Sequence, residues 1–225
     1  MVKSSVCLAL VGLAFAITPA AAQTPAAASA ASAYPDLPMV ADQLTRGPVP
    51  GIGPTAGYIL EVVSPRAKCS RDAVKAADGL MAPSDAVLTC NEAITFPGAL
   101  REDVAGAHIN RGVLLLTMLQ VDDAKRDFER ALELNPDSAE ALANRGAMKV
   151  TDGQPAEAIV DLDRAIALGT EKPARAYYAR ALAREDLGNI RGAYDDFMMA
   201  QSLEPTWAEP TTQLARFQVR RAPAR

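Results

Sequence analysis

Few residues in this chain are equipped for chemistry. It has three cysteines and one histidine. Cys7 falls in an apolar N-terminal run, which leaves Cys69 and Cys90 as a pair. Their separation is far from the Cys-x-x-Cys of thiol redox enzymes. In an oxidising compartment such a pair suggests a structural disulfide, worth about 3 kcal/mol by loop closure. Two buried thiols, or a redox pair, are the alternatives. His108 has no Ser or Cys partner implied by spacing and no second His for a metal, so a packing or surface role is expected. The acidic pairs Asp122-Asp123, Glu185-Asp186 and Asp195-Asp196 do not read as acid–base pairs. Adjacent residues on a helix point about 100° apart and cannot converge on one proton. No phosphate-cradling glycine loop and no nucleophile elbow occurs. Arg111/Asp127, Arg145/Asp161 and Arg180/Asp196 repeat at a constant separation of sixteen. Each Arg is therefore expected to pair with its Asp on a neighbouring helix. The chemistry sums to a non-enzyme with no cofactor and no metal.

Composition agrees. Of 225 residues, 49% are hydrophobic but only 5% aromatic, so any core must be built from small aliphatic side chains. A formal net charge of −4 excludes a strongly basic nucleic-acid binder. The N-terminus reads as an address. Lys3 precedes an apolar run over residues 6–17, Pro19 breaks it, and Ala20-Ala21-Ala22 supplies the small residues of a cleavage site. Residues 1–22 are expected to be a cleaved signal peptide. The run is shorter than the roughly twenty residues a membrane span needs, and no integral span is expected elsewhere. A periplasmic location follows, with release outside the cell as the other outcome. Residues 23–66 form a Pro/Gly/Ala-rich linker, interrupted by the β-prone patch Tyr58-Ile59-Leu60-Glu61-Val62-Val63. That patch reads as a strand-like piece on the domain edge, or as an internal ligand for a groove.

What must position the Arg and Asp residues is a repeat. Ala124, Ala158 and Ala193 are 34 and then 35 apart, and Ala131, Ala165 and Ala200 keep the same steps. So do Phe128, Leu162 and Phe197. Upstream, Asn110-Arg111-Gly112 returns as Asn144-Arg145-Gly146 and again as Ala179-Arg180-Ala181. Each period holds two helices of about twelve to fourteen residues. Gly112, Gly146 and Ala181 let helix backbones approach, and the Phe or Leu fills the space left. Asp122, Gly153 with Pro155, and Gly188-Asn189 supply turn or cap chemistry between the helices.

These residues in register resemble the tetratricopeptide repeat. The resemblance implies an all-α fold: an α-solenoid of tandem helix-turn-helix units at 105–138, 139–173 and 174–207. A degenerate first unit spans 67–104, with helices at 69–80 and 85–94. Residues 208–225 form a capping helix and tail, the helix expected over 209–221. The family's favoured Trp is His108, Leu142 and Tyr177 here, and its favoured Tyr is Leu115, Lys149 and Arg184. Carried over from the family, the concave groove would be lined by Ile109, Val113 and Leu116, then Ala143, Ala147 and Val150, then Arg175, Tyr178, Leu182 and Glu185. The resemblance implies a non-catalytic scaffold that holds a protein or peptide partner in this groove. The alternative is a structural module whose groove is filled by its own N-terminal segment or by a second copy, as in a homodimer.

Overall fold

The computed structural model describes residues 64–217. The expected signal peptide, most of the linker, the Tyr58–Val63 patch and the Arg220, Arg221 and Arg225 tail lie outside the described residues. Nine helices and no strand occur among those described. They are α1 (Pro65–Ala77), α2 (Pro83–Thr95), α3 (Arg101–Thr117), α4 (Val121–Leu134) and α5 (Ala139–Thr151). Then follow α6 (Pro155–Ala167), α7 (Pro173–Asp186), α8 (Ile190–Leu203) and the short α9 (Ala208–Leu214). Successive helices pack pairwise, α1 on α2 and so on to α7 on α8, with α9 against α8. First helices of adjoining units also meet, α1 with α3 and α5 with α7. The layout is an α-solenoid.

The core uses small residues against a few large ones. Ala124, Ala131, Ala158, Ala165, Ala193 and Ala200 are wholly buried, as are Phe128, Leu162 and Phe197. A Cβ placed on Gly112 would sit 2.7 Å from the Phe128 ring, and one on Gly146 would sit 2.7 Å from Leu162. Those glycines are where the two helices of a unit touch.

Three expectations need correction. The helices expected at 69–80 and 85–94 run over Pro65–Ala77 and Pro83–Thr95, 13 residues each. α1 starts at Pro65, inside the expected linker, because Ser64 caps it by accepting the Ala67 N–H at 3.2 Å and proline suits the first turn. The capping helix stops at Leu214 rather than 221. A turn follows in which the Phe217 N–H reaches the Leu214 carbonyl. The Phe217 ring then lies 5.6 Å from Tyr194 and 5.9 Å from Phe197, and anchoring that ring ends the helix. Asp122 is not a turn residue, since α4 already starts at Val121. The turn falls on Leu119, whose φ is 60°, at the place Gly153 and Gly188 take in the next two units.

The unit without a terminal proline also has a reason. Thr170 stands where Pro136 and Pro205 stand, and its N–H donates to the Ala165 carbonyl at 3.1 Å. Proline could not make that bond.

Candidate functional site

The Arg–Asp ladder forms as the spacing requires. Arg145 grips Asp161 with Nε and Nη2, both at 2.8 Å. Arg111 does the same to Asp127 at 2.8 and 2.6 Å, and Arg180 to Asp196 at 2.9 and 2.7 Å. The three carboxylates are 4–5% exposed, so each is buried and needs more than one donor. The second donors come from the positions where this chain departs from the repeat's usual aromatics. Lys149 reaches Asp161 at 3.0 Å and Arg184 reaches Asp196 at 2.8 Å. The unit at 105–138 has Leu115 at that place. There His108 Nδ1 meets Asp127 at 2.8 Å from the other side. The sole histidine is thus a buried partner of a structural carboxylate. Burial alone would raise the Asp127 carboxyl, but hydrogen bonds from Arg111 and His108 outweigh it and hold it below the usual carboxylate range. Asp161 is held low in the same way by Arg145 and Lys149.

The acidic pairs do not converge. Asp123 pairs with Arg126, Glu185 with Arg216 at 2.8 Å, and Asp196 with the ladder. Cys69 and Cys90 are joined by a disulfide that ties α1 to α2, with their Cα atoms 4.6 Å apart. Among the described residues no cluster of His, Cys, Asp or Glu could hold a metal ion.

α3 and α5 make little contact with each other, unlike α1 with α3 or α5 with α7. A cleft of about 270 Å³ opens there. Its floor is Ala105, Gly106 and Ile109 of α3; α1 contributes Arg66 and Ser70; the turn into α5 contributes Asn135 and Ser138, and the first turn of α5 Glu140. Glu102, Asn110 and Glu171 complete it. Asn110 Nδ2 donates to Ser70 Oγ at 3.0 Å, Arg66 pairs with Asp103 at 2.6 Å, and the Glu171 N–H donates to Glu140 at 3.1 Å.

Of the groove positions carried over from the repeat, Ile109 lines this cleft. Val113 and Leu116 pack into the core around Phe128, and Ala143 and Ala147 are buried as well. Val150 and Leu182 are half-buried at the core's edge. Three positions of the last unit meet the C-terminal segment. The Arg175 guanidinium lies 5.0 Å from the centre of the Trp207 ring, Gln213 donates to the Tyr178 hydroxyl at 3.4 Å, and Arg216 holds Glu185. The chain's own α9 and its flanks therefore cover these three positions of the last unit. Sequence reading missed Arg66, Ser70, Glu102, Gly106 and Glu140. The available signal was register, since Gly106, Glu140 and Arg175 hold matching places in three units.

Residues 105–138 match the family model for the tetratricopeptide repeat. The chain carries a tetratricopeptide repeat at these residues. No curated protein matches its sequence. Among solved structures it is similar to PilW, a widely conserved type IV pilus biogenesis factor, at 21% identity and a TM-score of 0.58, covering 67% of each chain. It is similar to a MamA RS-1 double mutant at 20% identity and a TM-score of 0.51, covering 67% of this chain and 81% of that one. The first tetratricopeptide domain of human RPAP3 is 24% identical with a TM-score of 0.45, over 50% of this chain and 87% of that one. Two of these likenesses bear on fold, and both are helical arrays. No described helix of this chain is long and apolar enough to cross a membrane.

Proposed function

We propose that this chain is an exported, non-catalytic scaffold that holds a peptide or protein segment on the concave side of its first two complete repeats. The observation that carries the reading is the cleft between α3 and the turn into α5. It is open where the third unit's inner face is covered, and it offers amide, hydroxyl and carboxylate groups over a small apolar floor. Reactive groups are otherwise committed: His108 to Asp127, the other ladder carboxylates to Arg and Lys, the two cysteines to a disulfide. That disulfide also supports export, since such bonds persist in oxidising compartments.

A second reading has one observation in its favour. The described chain begins at Ser64, two residues before Arg66 at the cleft. The Tyr58–Val63 patch therefore adjoins the cleft in sequence, and it or a second copy's patch would be the occupant. Photo-crosslinking in intact cells tests both. A photoreactive residue placed at Gly106 or Val150 should give adducts with a different protein, while one at Val160, 67% exposed on α6, should not. Adducts only within the chain or between its copies support the second reading. Equal labelling from all three positions overturns the cleft as the binding surface.

A further inference from the structure

We infer that the joint between α4 and α5 is a hinge: residues 64–134 and 138–217 move as two rigid blocks, and the cleft on α3 widens and narrows as they do. Three joints link the units, α2 to α3, α4 to α5 and α6 to α7. At the first joint α1 also packs on α3, and at the third α5 packs on α7. The middle joint lacks that second support, because α3 and α5 hardly touch. There α4 also lies on α5 more lightly than α2 on α3 or α6 on α7. Close packing is what makes neighbouring elements move together, so the array flexes where packing is thinnest. What crosses the joint is also adaptable. Met148 is the α5 side chain buried in the cluster around Phe128, and its unbranched thioether can re-seat as the angle changes. Leu114 and Ala183 stand at its place in the adjoining units.

The ladder shows the same difference in hydrogen bonds. Asn91, Glu129 and Asp163 hold matching places, each one residue after the core side chains Cys90, Phe128 and Leu162. At the first joint Arg111 extends a third nitrogen to the preceding unit, its Nη1 donating to Asn91 Oδ1 at 2.6 Å. At the third joint Arg180 Nη1 donates to Asp163 in the same way. At the middle joint Arg145 bonds Asp161 alone among the described residues, and Glu129 forms no hydrogen bond or ion pair with it. Two joints are thus held by a ladder arginine that grips both units, and the middle one is not. The tie that does cross it, from Lys125 to Asp152 at 2.7 Å, lies at the surface, where ion pairs contribute little. The walls of the cleft belong to different blocks, Gly106 and Ile109 to one, Glu140 and Glu171 to the other. A change of angle at the joint therefore changes the width of the cleft.

Leu88, Arg126, Val160 and Asp195 hold matching exposed places on α2, α4, α6 and α8, so neighbouring pairs span the three joints in one register. Nitroxides attached there to p-acetylphenylalanine, which spares the cysteines, report each joint's spread of distances by dipolar electron paramagnetic resonance on the frozen full chain. The Arg126/Val160 distribution should be about twofold wider than those of Leu88/Arg126 and Val160/Asp195. Equal widths at all three joints, narrow or wide, overturn the hinge. Glu129→Asn copies the first joint and should narrow the middle distribution while leaving the other two as they were. A middle distribution that stays wide in this variant overturns the absent third bond as the source of the freedom.

Discussion

At the scale of single residues, two positions show how little slack the units have. Gly146 holds α5 against Leu162 with no room for a methyl group. Leu162 is wholly buried, so it cannot swing aside. Gly146→Ala should therefore destabilise by about 2 kcal/mol, as overpacking does, although alanine is the better helix former. Chemical denaturation would show it, and an unchanged midpoint would mean that the units flex apart. Leu119 is the reverse case. It holds a left-handed φ of 60° that its counterparts Gly153 and Gly188 take without strain, and its side chain is 63% exposed. Leu119→Gly should stabilise by about 1 kcal/mol. The glycines, alanines and large residues of the period were legible in the sequence because each contact recurs at one spacing. Leu119 was not, since a leucine carries no signature of positive φ.

At the scale of the helix pair, the ladder sets a pH dependence. Asp127 and Asp161 titrate lower in the folded chain than in an unfolded one. A depressed carboxylate adds stability that is full above its unfolded value, about 3.9, and is lost as pH falls through the lower folded value. The array should hold its stability down to about pH 4 and lose it progressively below. Asp161→Asn should be less stable at pH 7 and should show a flatter acid limb, read as melting temperature from pH 6 to pH 2. An unchanged acid limb would mean that the Arg145 and Lys149 contacts do not favour the folded carboxylate. In a double-mutant cycle, Arg145→Ala and Asp161→Ala should couple by about 1–2 kcal/mol, above the usual value for exposed pairs because Asp161 is buried. The sixteen-residue spacing made the Arg–Asp pairs legible. The second donors were not, because His108, Lys149 and Arg184 reach their carboxylates from two different positions along the helix.

At the scale of the whole molecule, the two ends are held by different means. The C-terminal end is closed by aromatic packing: Tyr178 lies 5.3 Å from Phe197 and 4.9 Å from Trp207. Among the described residues, the cluster at the N-terminal end contains no ring. The fully buried part of the cluster joining α1 to α2 is Cys69, Ala73, Ala86, Cys90 and Ala93, with Ala107 and Leu114 from α3, and Met81, Val87 and Ile94 pack against it half-buried. These side chains bury little area each, so the disulfide carries an unusual share of that unit's stability. In a solenoid each unit leans only on its neighbours, so a local loss stays local. Reducing the bond, or replacing both cysteines with alanine, should lower hydrogen-exchange protection over α1 and α2 by about 3 kcal/mol. Protection over α5 to α8 should change by less than about 0.5 kcal/mol, as for sites without shared contacts. Uniform loss along the chain would show one cooperative unit instead. Because α1 also supplies Arg66 and Ser70 to the cleft, the same reduction should weaken any ligand held there without unfolding the array that presents it.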